Sequence, residues 1–256
     1  MKIKVIYSAA LMMAAFVLLV FNAPVNASKT DDRIEASARK SYVFKAYLKD
    51  DDIKIQSKNG FVTLTGLVSE ESHKALAKET VADLPGVKSV DNRLEVKGAA
   101  PTANSDAWLK DKVKFTLLFH KSVSAAKTQV DVQDGMVTLR GEAANEAQKE
   151  LTTEYAKDVD GVKDVKNEMT VSKAGKKTPR SRSLGARIDD ASITAQVKMA
   201  LLFHRSTSVV TTTVKTKRGV VTLGGKAGNA AEKDLVTKLV DDINGVKSVD
   251  NRMTID

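Results

Sequence analysis

One short pattern is written three times in this sequence, and no other feature constrains the fold as strongly. Its clearest part is a Gly-x-Val-Thr-Leu-x-Gly strip, which occupies residues 60–66, 135–141 and 219–225. In each copy a Gly-Val-Lys begins 26 residues after the first glycine, and six residues later comes Asn92, Asn167 or Asn251. Identical internal spacing in three copies predicts an array of one small folding module.

The glycines of the pattern are predicted to be structural. Each copy has one glycine at a hairpin turn, one closing the Val-Thr-Leu strip, and one where the second helix is expected to end in a left-handed cap. These nine residues are Gly60, Gly66, Gly86, Gly135, Gly141, Gly161, Gly219, Gly225 and Gly245.

Each copy begins with an amphipathic helix. In the third copy Ile193, Val197 and Leu201 are spaced so that they lie on one helical face. The second copy shows the same spacing, whereas the first has a weaker stripe, and we expect its helix to be the least well packed. That weaker stripe consists of Ile34, Ala38 and Tyr42.

A β-hairpin follows in each copy, turning at residues 59–60, 134–135 or 218–219. A second helix begins after Asn145 or Asn229, which are favoured capping residues with a glutamine or glutamate three positions on. A last strand follows the Gly-Val-Lys. The order αββαβ predicts an α+β fold of three tandem modules, each with two helices on one face of a three-stranded mixed sheet.

This order, with the glycine-framed Val-Thr-Leu strand and the Gly-Val-x-x-Val-x-Asn ending, resembles the BON domain of bacterial osmotically inducible and nodulation-associated proteins. The resemblance covers nearly all of the chain after its first residues. It implies a periplasmic envelope protein that associates with anionic phospholipid and maintains membrane integrity. The expected domains are residues 31–97, 106–171 and 187–256, with a linker at 98–105 and a basic linker at 172–186.

Residues 1–27 are typical of a secretory signal peptide. Lys2 and Lys4 give a positive start, an apolar run covers residues 9–21, and residues 25–27 form a small-residue cleavage signal. An uncleaved membrane anchor is the alternative, since the uncharged stretch is long enough to span a bilayer. We expect cleavage near Ala27 and release into the periplasm. The chain has no cysteine, which excludes disulfides and thiolate metal sites.

The linkers predict flexible spacing between the modules, because both are rich in small and polar residues. The positive charge is concentrated in the second linker and the third copy. Residues 172–256 hold 16 basic against eight acidic side chains, in a chain of net charge +9. The basic residues expected to contact an anionic surface are Lys173, Lys176, Lys177, Arg180, Arg182, Lys215, Lys217, Arg218 and Lys226.

Uneven charge of this kind indicates an anionic partner: phospholipid headgroups, lipopolysaccharide or nucleic acid. Export removes nucleic acid from these candidates. The other interpretation is a solvated linker that its own charge keeps extended. An envelope-binding protein is the first functional hypothesis, and a periplasmic chaperone-like protein that shields unfolded envelope proteins is the second.

Catalysis is not indicated. No constellation for bond chemistry recurs in the three copies, so we predict a protein that is not an enzyme and uses no cofactor or metal. His120 and His204 are predicted to complement the C-terminus of the first helix as cations. Residues 50–52, three aspartates, are expected to form a solvated loop. Trp108 either packs beside its helix or serves as an interfacial anchor.

Overall fold

A computed structural model describes residues 25–98, 101–102, 105–172, 187–207 and 212–255. The predicted signal peptide lies almost entirely outside the described residues, as does the basic linker from residue 173 onward. Within the described ranges, no helix combines the length and the apolar character needed to cross a bilayer.

The first module contains three helices and a three-stranded sheet. In the sheet β2 is central, antiparallel to β1 and parallel to β3. Its elements are α1 (Val25–Lys40), α2 (Tyr42–Ala46), β1 (Asp52–Lys58), β2 (Phe61–Val68), α3 (Glu71–Ala82) and β3 (Ser89–Val96).

The second and third modules repeat this plan with the last strand broken in two. The second module comprises α4 (Asp106–Phe119), a 3-10 turn (Ala125–Lys127), β4 (Thr128–Gln133), β5 (Met136–Ala143), α5 (Glu146–Lys157), β6 (Asp164–Asn167) and β7 (Thr170–Val171). The third comprises α6 (Asp190–Phe203), β8 (Thr212–Lys217), β9 (Val220–Ala227), α7 (Ala230–Asp241), β10 (Ser248–Asn251) and β11 (Thr254–Ile255). The predicted α+β class and the three-module plan are confirmed.

An aspartate from the first helix holds each hairpin turn. The Asp106 carboxylate accepts hydrogen bonds from the amides of Asp134 at 2.7 Å and Gly135 at 2.9 Å. Both turn residues have positive φ, 53° and 81°, so the carboxylate stabilises a conformation that is costly for aspartate. Asp31 and Asp190 do the same in the other modules.

The repeated asparagine joins the last strand to the second helix. The Asn167 side-chain amide donates to the Lys149 carbonyl at 2.9 Å and to the Thr153 hydroxyl at 2.7 Å. Its side-chain oxygen accepts from the amide of Met169 at 2.9 Å. Asn251 makes the equivalent three bonds, and Asn92 makes the bond to the helix and the bond to its own strand. A single residue thus fixes the helix–strand crossover in each module.

The first helix of module 1 is broken into α1 and α2. Ser41 interrupts it, donating its hydroxyl to the Ala38 carbonyl and accepting from the Phe44 amide as the cap of α2. The break places Val43, and not Tyr42, in the core, while Ile34 and Ala38 are fully buried. Among the described side chains, α1 and α2 together still bury fewer apolar residues than α4 or α6, in agreement with the expectation that the first helix of module 1 is the least well packed.

The second helices begin as predicted and end earlier than predicted. Asn145 and Asn229 cap α5 and α7 through bonds of 2.8 Å to Gln148 and Glu232. The helices end at Ala82, Lys157 and Asp241. A turn then leads to the glycine of Gly-Val-Lys, which has positive φ but lies beyond the cap position. The glycine is needed for that turn, and the C-cap itself is an aspartate in every module.

The modules pack against one another, so the expectation of flexible spacing is wrong for the described residues. The carboxylate of Asp189 accepts from the Tyr42 amide at 2.7 Å, and the Ser192 hydroxyl accepts from the Val43 amide at 3.1 Å. Lys198 reaches across to Glu79 at 3.1 Å. Buried apolar residues run continuously from module 1 to module 3 and include Phe115 and Phe119 of module 2, whereas the other buried apolar residues of module 2 form a separate core. The three sheets nevertheless stay separate.

Two short backbone bridges join module 2 to module 3. His120 pairs with Ile243, and Val159 pairs with His204, both in antiparallel fashion. In each bridge the end of one module's first helix meets the segment after the other module's second helix. The two modules therefore use the same surfaces reciprocally, as in an isologous interface.

Candidate functional site

Four of the nine predicted basic residues lie in the described part of the chain, on the third hairpin. Lys215 and Lys217 alternate along β8, directly opposite Thr222 and Val220 of β9. Val214, which precedes Lys215, points inward and is buried with Val221 and Leu223, so Lys215 and Lys217 lie on the outer face of the sheet. The other five, Lys173, Lys176, Lys177, Arg180 and Arg182, lie outside the described residues.

The outer face of the third sheet is strongly basic. Lys226 lies on the same face. It is four residues after Thr222 on β9, and Thr222 is directly opposite Lys215. Arg252 adds a fourth cation and pairs with Asp250 at 2.6 Å, the one carboxylate among the described strand residues of the face. At the turn Arg218 and Lys247 extend the positive surface. We call these residues the basic face: Lys215, Lys217, Arg218, Lys226, Lys247 and Arg252.

A second cluster of ionisable groups lies between modules 1 and 2. Asp111 of α4 accepts from the Ser72 amide at 3.0 Å and its hydroxyl at 2.7 Å, and so caps α3 of the other module. Glu70 lies beside it and contacts Lys114 at 3.0 Å. Burial, together with the neighbouring Glu70, raises the pKa of Asp111 to about 7. Asp111, Glu70 and Lys114 line an open cleft of about 260 Å³.

Asp51 belongs to the edge of this cluster and not to a solvated loop. Its side chain is fully buried, accepts from the amide and hydroxyl of Ser69, and contacts His73. The expectation of a solvated triple aspartate is therefore wrong for its central member, whereas Asp50 and Asp52 are exposed. His73 also lies edge-on against Phe115 of module 2, at 5.2 Å between ring centroids.

His120 and His204 follow the ends of α4 and α6, where they were predicted, but they are interface residues. His120 is 2% exposed and stacks on Tyr155 at 3.8 Å, with Asp242 of module 3 at 3.4 Å from its Nδ1. Burial lowers the pKa of His204 despite the nearby Asp158. Because burial disfavours the charged ring, the structure does not support the predicted cationic role of His204.

Trp108 is half-buried at the start of α4. The ammonium of Lys112 lies 4.1 Å from its ring centroid, in a cation–π contact. Lys112 is itself nearly buried and also donates to the Asp160 carbonyl at 2.8 Å. These contacts support the packing interpretation of Trp108.

The model of the BON domain family matches residues 30–98, 105–173 and 189–256. The chain belongs to this family. It is also 30% identical over 143 residues to the osmotically-inducible protein Y of Escherichia coli strain K12. The aligned region covers 54% of this chain and 71% of that protein. The predicted resemblance to osmotically inducible BON proteins is confirmed.

Two solved structures of CdsD, a structural protein of the type III secretion system of Chlamydia trachomatis, also match. The first is 16% identical, and the match covers 87% of this chain and 90% of the CdsD chain. The second is 17% identical, and the match covers 87% of this chain and 94% of the CdsD chain. The TM-score is 0.23 for both, which is too low to support an argument.

The three BON domains differ in the charge of their outer sheet faces. In BON domain 2, Arg140 is bonded to Asp131 at 2.9 Å and to Glu168 at 2.8 Å. Lys110 and Lys166 pair with the same two carboxylates and help to lower their pKa values. The cations of that face are therefore neutralised. BON domain 1 has equal numbers of acidic and basic residues on its outer strand positions. The excess of cations is particular to BON domain 3.

Sequence reasoning missed the Asp111–Glu70 pair and the histidine contacts between BON domains. Asp111 looks like an ordinary surface position of an amphipathic helix when its own domain is considered alone, and Glu70, His120 and His204 look like residues at helix ends. No local sequence signal marks these residues, because their contacts join different domains.

Proposed function

We propose that this protein is a non-enzymatic periplasmic protein that binds anionic phospholipid at the bacterial envelope and supports the envelope under osmotic stress. The observation that carries the proposal is the basic face of BON domain 3. Three of its cations, Lys215, Lys217 and Lys226, are exposed on the strands of one sheet, and Arg252 pairs with Asp250. Several cations on one exposed side of a sheet suit the surface of an anionic membrane.

Other observations support the proposal. The family and the osmotically-inducible relative connect the chain with osmotic stress. The signal-like residues 1–27, with cleavage expected near Ala27, favour export to the periplasm. Each lysine or arginine near an anionic bilayer contributes about 1 kcal/mol. The described face and the five linker cations together are sufficient for reversible attachment without a cofactor, a metal or nucleic acid.

Vesicle co-sedimentation tests this function. The full chain is expected to pellet with phosphatidylglycerol vesicles, to release as salt rises, and to stay in solution with phosphatidylcholine vesicles. Changing Lys215, Lys217, Arg218 and Lys226 to glutamine should weaken pelleting strongly, and the same change at the five linker cations should weaken it further. The matched control replaces four lysines that are exposed elsewhere, Lys40, Lys45, Lys78 and Lys238. Equal pelleting with both vesicle types would refute the proposal.

The alternative is a chaperone-like protein that shields unfolded envelope proteins. The observation that favours it is an exposed apolar side chain on every BON domain: Phe61, Met136 and Val220. Suppressed aggregation of an unfolded outer-membrane protein, insensitive to salt and to the glutamine changes, would support this alternative over lipid binding.

A further inference from the structure

The same position of the repeat carries an exposed apolar side chain in all three BON domains. Among the described residues six large apolar side chains are exposed, and three of them follow the glycine of a hairpin turn. Phe61 is 58% exposed, Met136 is 42% and Val220 is 39%. An isolated exposed apolar residue needs no explanation, but repetition at one structural position does.

A lysine lies beside each of these side chains. It is the lysine of Gly-Val-Lys, which donates its amide to the turn glycine's carbonyl in each domain. A Cβ atom placed on Gly60, Gly135 or Gly219 would lie 3.1–3.3 Å from the Cγ of that lysine. The lysine stem therefore covers the turn, and in domain 1 the Lys88 ammonium lies 5.6 Å from the Phe61 ring centroid. We call the following residues the hairpin tip: the exposed apolar residue, the two turn residues before it, its two partners on the neighbouring strands, and this lysine.

Neighbours on the sheet divide the three tips into two kinds. Phe61 lies between Lys58 and Ser89, and Val220 lies between Lys217 and Ser248. The tips of domains 1 and 3 thus share one arrangement, an apolar side chain between a lysine and a serine. Met136 instead lies between Gln133 and Asp164, with Asp134 at the turn. With Asp134 and Asp164 against the single Lys163, the tip of domain 2 has an excess of negative charge.

We propose that the hairpin tips of BON domains 1 and 3 enter the interfacial region of an anionic bilayer, with Phe61 and Val220 in the acyl boundary. The lysines beside them bind lipid phosphates, since a long stem lets the ammonium stay at headgroup level while the apolar side chain is inserted. The tip of domain 2, with its excess of negative charge, is repelled by the same surface. This inference rests on the proposed affinity for anionic phospholipid and names the residues that penetrate.

The tips are rigid before they bind. Asp31 and Asp190 each accept two amide hydrogen bonds from their turns at 2.7–2.9 Å. Because the turn is already ordered, insertion carries little of the conformational cost that weakens binding by flexible loops. The bilayer receives a preformed apolar and cationic surface.

Site-specific labelling tests the proposal on the full chain. The sequence has no cysteine, so single Phe61→Cys, Met136→Cys and Val220→Cys variants can each carry one environment-sensitive fluorophore. With phosphatidylglycerol vesicles the labels at 61 and 220 should brighten and shift to the blue, and the label at 136 should not. Phosphatidylcholine vesicles should leave all three unchanged. The three positions are structurally equivalent, so each serves as a control for the others.

An unlabelled comparison gives a second readout. Phe61→Ser should lower the partition constant into phosphatidylglycerol vesicles about tenfold, as expected for loss of a buried aromatic group, whereas Met136→Ser should leave it unchanged. Labels that stay silent while the protein still pellets, or equal responses at all three positions, would overturn the insertion but leave lipid binding intact. Absence of pelleting would refute both proposals. A response to an unfolded protein and none to vesicles would assign the tips to client binding instead.

Discussion

The backbone amide of Asp160 donates a hydrogen bond of 2.7 Å to the carbonyl oxygen of Phe203, and so joins BON domain 2 to BON domain 3. The reciprocal bond runs from Asn244 of domain 3 to the carbonyl of Phe119 of domain 2, at 2.8 Å. Each bond has a companion in the same bridge, from Arg205 to Asp158 at 2.8 Å and from Lys121 to Asp242 at 2.9 Å. The accepting carbonyls of Phe119 and Phe203 lie at helix ends, where they would otherwise lack a partner.

In BON domain 1 the position of Asp160 and Asn244 is occupied by Pro85. Proline has no amide hydrogen, so domain 1 cannot donate this bond. Domain 1 instead packs its α3 against α6 and α4 through side chains, including the Lys198 contact with Glu79. One residue type therefore helps to decide which pair of domains forms the reciprocal interface.

Asp160→Pro is expected to open this bridge while leaving the domain folded, because Pro85 shows that the turn accepts proline. The change removes one interface hydrogen bond, a net contribution of about 1 kcal/mol, and leaves the Phe203 carbonyl without its donor. Hydrogen exchange should show faster exchange of the Arg205 amide. Asp160→Ala keeps the backbone amide and serves as the control. Equal exchange in the two variants would show that the backbone bond does not hold the domains together.

Asp111 gives the stability a pH dependence. Its pKa is about 7 in the folded protein and near the ordinary 3.8 in the unfolded chain. The unfolded chain thus loses this proton first, and the free energy of unfolding falls as pH rises from about 3.8 to about 7. The stabilisation is fully present below the lower value and is lost above the upper one. Glu70 acts in the opposite sense at lower pH, since Lys114, His73 and the bond with Asp111 outweigh its burial and lower its pKa.

Asp111→Asn isolates this contribution, because asparagine imitates the protonated acid and does not titrate. Urea titrations at several pH values give the unfolding free energy of the wild type and of the variant. The wild-type value minus the variant value should fall from pH 4 to pH 7 and then level off. Asp164→Asn, at an exposed position, should give a flat difference. A difference that moves in favour of the wild type over this window would contradict the assignment.

Asn167→Ala should lower the unfolding free energy by about 2–3 kcal/mol, since it removes three hydrogen bonds that each contribute about 1 kcal/mol. Urea unfolding measures the loss directly. Lys166→Ala, at the neighbouring exposed position, should cost less than about 0.5 kcal/mol. Similar losses for the two variants would show that Asn167 does not fix the crossover.

Gly141→Ala should be far more costly than Gly98→Ala. Both glycines have positive φ, 124° and 82°, so alanine is strained at either position, by about 1–2 kcal/mol. At Gly141 a Cβ atom would also lie 1.9 Å from the Lys127 carbonyl oxygen, whereas nothing lies within 4 Å at Gly98. We expect a loss of about 3 kcal/mol or more at Gly141. Comparable melting temperatures for the two variants would remove the steric explanation.

Local features were predictable because they depend on neighbouring residues. Asn229 caps α7 as its position before the helix predicts, and the Asp134-Gly135 turn forms where the pattern places it. The break at Ser41 was not predictable, because it depends on Asp189 and Ser192 of domain 3, which accept the amides that the break frees. Of the candidate site, the alternation of Lys215 and Lys217 follows from strand geometry. The excess of cations on that face, compared with the outer sheet faces of BON domains 1 and 2, could be seen only once the pairing of the strands was known.

By itself the sequence determined that one αββαβ module occurs three times, since glycine positions, apolar periods and capping residues act within a few residues of each other. Only the tertiary structure decided how the modules meet. Ser72 and Asp111 are 39 residues apart, and Val43 and Ser192 are 149 apart, so no local pattern records their contact. Such interfaces depend on the shape and hydrogen-bonding groups of two folded surfaces, which exist only after each module has formed.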